Sequence, residues 1–217
     1  LSAEMIRDQA LAVSGLLSDM VGGPSVRPYH PPGLYEQVVA GSSASTYVQG
    51  SGTDLYRRTL YTYWKRSVPN PAMLLFDMPF RETCVVRRAR TTTPLQALNL
   101  LNDPTYVEAS RFLARRMMRE AAGSLESRIR LGFRIVLARE PRPAELDVLV
   151  AGWLRAKAGF RADRPGAESL LKVGESAVDP DLDVIQCAAY TTVASTLLNL
   201  DEAVDRKSTR LNSSHLG

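Results

Sequence analysis

The chain predicts an all-α fold: an irregular multi-helix globular domain with long Pro/Gly loops and little or no β structure. Three observations carry that expectation. Apolar residues recur at helical spacing in successive segments, several segments open on a cap residue followed by proline, and no period-two alternation persists beyond a few residues.

Taken in order, Glu4 to Met20 places Ile6, Ala10, Val13, Leu17 and Met20 on one stripe and predicts a helix. Gly22-Gly23-Pro24 ends it, and the prolines from Pro28 to Pro32 keep the chain extended. A short helix is expected at Leu34–Val39, then a Gly/Ser/Thr-rich stretch with a brief strand at Thr46-Tyr47-Val48. Asp54 reads as the N-cap of a helix over Leu55–Ser67. Pro69 and Pro71 interrupt, and Met73–Phe76 forms a short apolar turn. Thr93-Pro94-Leu95-Gln96 has the composition of a capping box with proline at the first helical position. Asp103-Pro104 repeats the cap-plus-proline pattern for a helix to about Met118. Further helices are expected at Leu125–Ala138, Pro143–Lys157 and Val184–Leu200, with Gly159–Asp183 as a mobile loop.

Both chain ends bear on the composition. Residue 1 is Leu in a segment already helical in pattern, so a fragment lacking the start of its domain is expected. Residues 1–205 then read as the C-terminal part of one helical domain. Residues 206–217 drop into a Ser/Asn/Lys/Arg string that reads as a non-native, adapter-derived tail, with a natural disordered tail as the alternative. Lys and Arg outnumber Asp and Glu by 27 to 23, but three of those cations lie in the tail, which holds no acid. The remaining balance is close to neutral and does not support nucleic-acid binding. Charge is split instead: residues 54–90 carry eight cations and three acids, residues 140–205 six cations and twelve acids. Such halves can pair internally or steer a partner. No apolar run approaches the roughly 18–20 residues of a membrane span. Cys84 and Cys187 are too few for a disulfide framework and read as small hydrophobes, with a single bridge as the alternative.

Six segments, in order, carry a resemblance: LSAEMIRDQALAVSGLLS, GGPSVRPYHPPGLYE, DLYRRTLYTYWKR, RETCVVRRARTTTPLQALNLLNDP, RIRLGFRIVLAREPRPAEL and LLNLDE. Together they resemble the planctomycete-specific C-terminal domain family catalogued as domain of unknown function 1553. The resemblance implies a large exported or periplasmic bacterial protein. It also implies a companion domain of unknown function and a cytochrome c-like domain upstream. The haem-attachment motif C-x-x-C-H is absent from this chain, so no cofactor is expected in this fragment. Thr92 stands where the family usually has Asn, and Gln186 stands near where an acid commonly opens the last helix.

The candidate ligand-binding residues come from the cationic, aromatic stretch. On the predicted helix Tyr56, Leu60, Tyr63 and Trp64 share one face, Arg58, Thr62 and Arg66 another, and Arg57, Tyr61 and Lys65 a third. Arg81, Arg87, Arg88 and Arg90 add a second cationic run beside Asp77. These residues read either as core aromatics with paired cations or as an aromatic-lined, guanidinium-rimmed pocket for an anionic or sugar-like ligand. The pairing partners expected for the arginines are Asp77, Glu82, Asp103 or the acidic C-terminal half. Catalytic templates mostly fail. Only His30 lies outside the tail, which excludes a multi-histidine metal site, and Gly50-Ser51-Gly52 reads as a turn rather than a phosphate loop. Two functions remain open. One is a non-catalytic binding or assembly module, its partner the upstream domains of the same protein or an acidic or sulfated polysaccharide. The other is a polysaccharide-acting enzyme domain in which an Asp or Glu does acid–base chemistry and the Arg/Tyr/Trp segment positions substrate.

Overall fold

A computed structural model describes residues 1–35 and 47–205. Nine α-helices order the described residues: α1 (Ala3–Ser14), α2 (Pro71–Leu75), α3 (Pro94–Asn102), α4 (Pro104–Glu120), α5 (Leu125–Leu137), α6 (Pro143–Ala162), α7 (Arg164–Leu171), α8 (Val184–Leu198) and α9 (Asp201–Val204). Two 3-10 turns, Gly52–Tyr56 and Thr59–Tyr61, lie between α1 and α2. The described residues contain no strand, only isolated bridges from Ser18 to Arg57 and from Val26 to Thr62. The all-α expectation holds. The predicted strand falls partly outside the described residues, and Tyr47 and Val48 are not in one. Of the expected helix Leu34–Val39, residues 36–39 lie outside them as well.

Helix α8 is the centre. It packs against α4 on one side and α6 on another, with α7 across it and α5 bridging the three. Its sequence explains the position. Cys187, Ala188, Ala189, Tyr190, Thr191, Val193, Ala194 and Leu197 are buried around the whole circumference, mostly with small side chains that let neighbours approach. Asp183 caps it, accepting from the Gln186 amide at 2.8 Å. The main core joins α8 to Leu113 and Met117 of α4, Ile129 and Phe133 of α5, and Trp153 of α6. On the opposite face of α4 lies α1, and α2 and α3 pack beside it.

Several helix boundaries follow the expected grammar. Thr93 caps α3 through the Gln96 amide, and the Gln96 side chain returns a bond to the Thr93 amide, so the capping box is complete. Asp103 caps α4 in the same cap-plus-proline manner. Three expectations need correction. First, α1 stops at Ser14, not Met20, because Gly15 adopts φ 80 and turns its amide back onto the carbonyls of Leu11 and Ala12. Second, residues 159–183 are not one long loop. The α6 helix runs to Ala162, and Asp163-Arg164-Pro165 starts α7, with Asp163 accepting from the Gly166 amide at 2.9 Å.

The third correction concerns Leu55–Ser67, which is not a helix. Asp54 makes no cap; the chain instead takes two 3-10 turns and then extends alongside residues 18–26. Thr59, Thr62 and four aromatics give this stretch weak helix propensity. Tertiary bonds then decide its course. The buried Arg7 guanidinium of α1 donates to the Leu55 carbonyl at 2.6 Å, the Arg57 carbonyl at 2.9 Å and the Thr59 hydroxyl at 3.1 Å. Next to it, Asp8 accepts from the Thr59 amide at 2.7 Å and its hydroxyl at 2.6 Å. Carbonyls that a helix would have used internally are thus fastened to α1. No helix among the described residues is long and apolar enough to cross a membrane.

Candidate functional site

The ten candidate residues separate into three environments. Arg57 and Tyr61 are structural in placement. The Arg57 side chain is 1 % exposed, and its guanidinium donates to the carbonyls of Met20, Gly22 and Pro24 while stacking 4.0 Å above the Tyr61 ring. The Tyr61 hydroxyl accepts from the Gly22 amide at 2.9 Å. Together they hold the Met20–Pro24 loop, whose glycines and proline leave carbonyls with no helical or sheet partner.

Arg58, Trp64, Lys65 and Arg81 form covering contacts. Arg58 is exposed and lies 3.7 Å from Asp8. Trp64 packs partly buried on the main core, with the Arg81 guanidinium 4.9 Å over its ring. The Lys65 ammonium sits 5.2 Å from the centre of the Tyr35 ring. Tyr35 in turn meets His30 and Tyr47, the three ring centres lying 4.7–5.0 Å apart. His30 is therefore part of an aromatic cluster.

Asp77, Arg87, Arg88 and Arg90 come together. They line a cavity of about 770 Å³ between the start of α1, the end of α2, the segment before α3 and residues 204–205. Ile6, Phe76 and Val204 supply apolar wall. Asp77 adopts φ 59 and accepts from the Thr91 amide at 2.6 Å and from the Thr91 hydroxyl through both oxygens. That pairing closes the loop between residues 77 and 91. Gln96, buried behind it, donates to the Leu75 carbonyl at 2.7 Å. Arg88 binds Glu4 of α1, with both carboxylate oxygens 2.9 Å from one Nη. Burial works to raise the Glu4 carboxyl, but its main-chain bond and Arg88 outweigh that and hold it below the ordinary value. Arg87 and Arg90 are exposed and have no hydrogen-bond or ion-pair partner among the described residues. Thr92, one departure from the family pattern, also lines the cavity.

The pairing expected for the cationic stretch takes a different route. Arg58 and Arg88 reach Asp8 and Glu4 on α1 rather than the C-terminal acids. Several of those acids pair with other arginines: Glu140 with Arg130 and Arg134, Glu145 and Glu202 with Arg139, Asp179 with Arg119. Cys84 is exposed and Cys187 buried, both as free thiols; burial pushes the Cys187 thiol up to about 11.

A further polar centre escaped the sequence reading. Glu108 of α4 is completely buried. Its carboxylate accepts from the hydroxyls of Tyr29 at 2.9 Å and Tyr56 at 3.0 Å, from the Ser176 amide at 2.9 Å, and from Arg111 at 3.3 Å. Arg111 continues to the carbonyls of Ser176 and Ala177. Burial, reinforced by the carboxylate, raises both tyrosine hydroxyls above their ordinary range. Gly174 has φ +93, and any Cβ there would penetrate the Glu108 carboxylate. The signal in the sequence is a lone acid on the inward side of α4, between the buried positions Val107 and Ala109. With four donors around it and protein on every side, Glu108 is a structural keystone rather than an open acid. Among the described residues no group of three or more His, Cys, Asp or Glu is placed to hold a metal ion.

Fold and cavity thus define a helical domain with a guanidinium-edged recess. Residues 1–153 match the family described as PSD1, protein of unknown function (DUF1553), and the chain belongs to that family. The matched span runs from α1 into α6, while LLNLDE at residues 197–202 lies beyond it. No curated protein and no solved structure matches the chain.

Proposed function

We propose that this chain is a non-catalytic binding or assembly module of a larger exported bacterial protein, and that it docks its partner at the recess edged by Arg87 and Arg90. One observation carries the proposal. Two exposed guanidinium groups without a partner among the described residues border a cavity of about 770 Å³, a size within the usual range for ligand sites. Guanidinium is a fixed cation with planar donors suited to carboxylate or sulfate. The polysaccharide-acting enzyme has less support. Asp77, the acid beside the arginines, is already bonded to Thr91 through both oxygens, and Arg57, in the segment expected to position substrate, is buried and bonded to main-chain carbonyls.

Fluorescence anisotropy with labelled acidic peptides and a labelled sulfated oligosaccharide tests the proposal. At least one probe is expected to bind the 217-residue chain and to lose affinity about tenfold or more in the Arg87→Glu/Arg90→Glu double variant. Arg155→Glu, exposed on α6, is expected to leave binding unchanged. No binding of either probe class, or equal binding by the double variant, sinks it.

A further inference from the structure

We infer that the occupant of the recess is a segment of another polypeptide in which Asp or Glu stands beside an apolar residue, not a sulfated polysaccharide. The inference rests on the recess being a docking site.

Charge balance is the first ground. Arg87, Arg88 and Arg90 line the cavity, but so do Asp77 and Asp205, and Glu4 already neutralises Arg88. The site is therefore close to neutral, with two guanidiniums on one edge that have no partner among the described residues. In a cavity about as wide as the Debye length of about 8–10 Å, those carboxylates are only partly screened from a ligand. A densely sulfated chain would meet them along with the arginines, whereas polyanion receptors depend on a broad field of one sign. A ligand bearing one or two carboxylates on one side can use the guanidiniums and avoid the acids.

The wall is the second ground. Ile6, Phe76 and Val204 offer apolar surface that suits an aliphatic or aromatic side chain and gives a sulfate no compensating bond. Third, the segment already displays the recognition proposed: Arg88 receives the Glu4 carboxylate with both oxygens at 2.9 Å. Fourth, the rings that would serve as sugar platforms are capped by cations, Tyr61 by Arg57, Tyr63 by Arg27 and Trp64 by Arg81. The chain's own residues 206–217 are a poor occupant on charge, since they carry Arg206, Lys207 and Arg210 and no acid.

The test uses the full 217-residue chain and three labelled probes. These are a set of acetylated octapeptides pairing Glu with Leu, Phe or Val, the same peptides with each apolar residue changed to Ser, and a sulfated oligosaccharide of similar length. At least one Glu/apolar peptide is expected to bind. Its affinity is expected to fall about tenfold or more on the apolar-to-Ser change, and again in Arg87→Glu/Arg90→Glu. Tighter, arginine-dependent binding of the oligosaccharide overturns the inference and leaves the docking site standing. Serine peptides that bind as well as their parents overturn it too. Failure of all three probes removes the inference and the docking site together.

Discussion

Residues 51–63 and residues 76–92 are both arginine-bearing and without α-helix or strand, yet they use guanidinium in opposite ways. In the first, Arg57 points inward and, with Arg7 from α1, replaces the main-chain donors that a sheet or helix would have supplied. In the second, Arg87 and Arg90 point outward beside a recess, and the loop is closed without them by Asp77 and Thr91. The number of arginines in a stretch therefore says little about its role. What decides is whether irregular backbone nearby leaves carbonyls in need of donors.

The contrast can be broken by substitution. Arg57→Ala should cost about 3–5 kcal/mol, since it empties the space of a side chain that is 1 % exposed and removes its three bonds to the Met20–Pro24 loop. Arg87→Ala should stay within about 0.5 kcal/mol of the parent. Urea denaturation of both variants measures the difference, and similar losses would erase the distinction.

A smaller effect sharpens the same comparison at a third place. Gly174→Ala forces a side chain onto a positive φ and against the Glu108 carboxylate, and should cost about 2–3 kcal/mol. Hydrogen exchange should show the loss first in the Tyr29, Tyr56 and Ser176 region. An unaffected protein would mean that Glu108 is not held as described.

The smallest expected effect is electrostatic and exposed. Arg139 bonds both Glu145 and Glu202, joining α5, α6 and α9. Hydrogen bonds from Arg139 and then from the Arg142 amide bring the Glu145 carboxyl down to about 2 from an ordinary 4.5. A depressed carboxyl contributes stability fully above 4.5 and loses it as the pH falls through about 2. Thermal melts between pH 6 and pH 2 should therefore fall less steeply in Arg139→Gln than in the parent. Parallel curves would show the cluster to be neutral for stability.

Local rules were legible in the sequence wherever the structure is local. Thr93 with Gln96 and Asp103 with Pro104 announce helix starts through a few adjacent atoms, and both appear as expected. Asp163-Arg164-Pro165 obeys the same rule, but the Gly/Pro content around it suggested a loop. Gly15 interrupts a stripe whose spacing runs on to Met20, and its left-handed cap outweighs the remaining apolar positions. Residues 55–67 fit helical spacing on paper; their path is set by Arg7 and Asp8, nearly fifty positions away. Of the candidate site, the sequence pointed to Asp77, Arg87, Arg88 and Arg90 and also to Arg57 and Trp64, which only the packing separates. Glu108 stayed hidden because three of its four donors, from Tyr29, Tyr56 and Ser176, come from distant parts of the chain.

The enclosure of Glu108 bears on where this protein can be cut. The carboxylate and Arg111 belong to the stretch matching the family, but Gly174 and Ser176, which seal them from water, follow its last matched residue. The central α8 also follows it. A polypeptide ended at residue 153 would keep every residue matched to the family and still lose its innermost helix and the cover over Glu108. Kinship and structural autonomy have different borders in this chain.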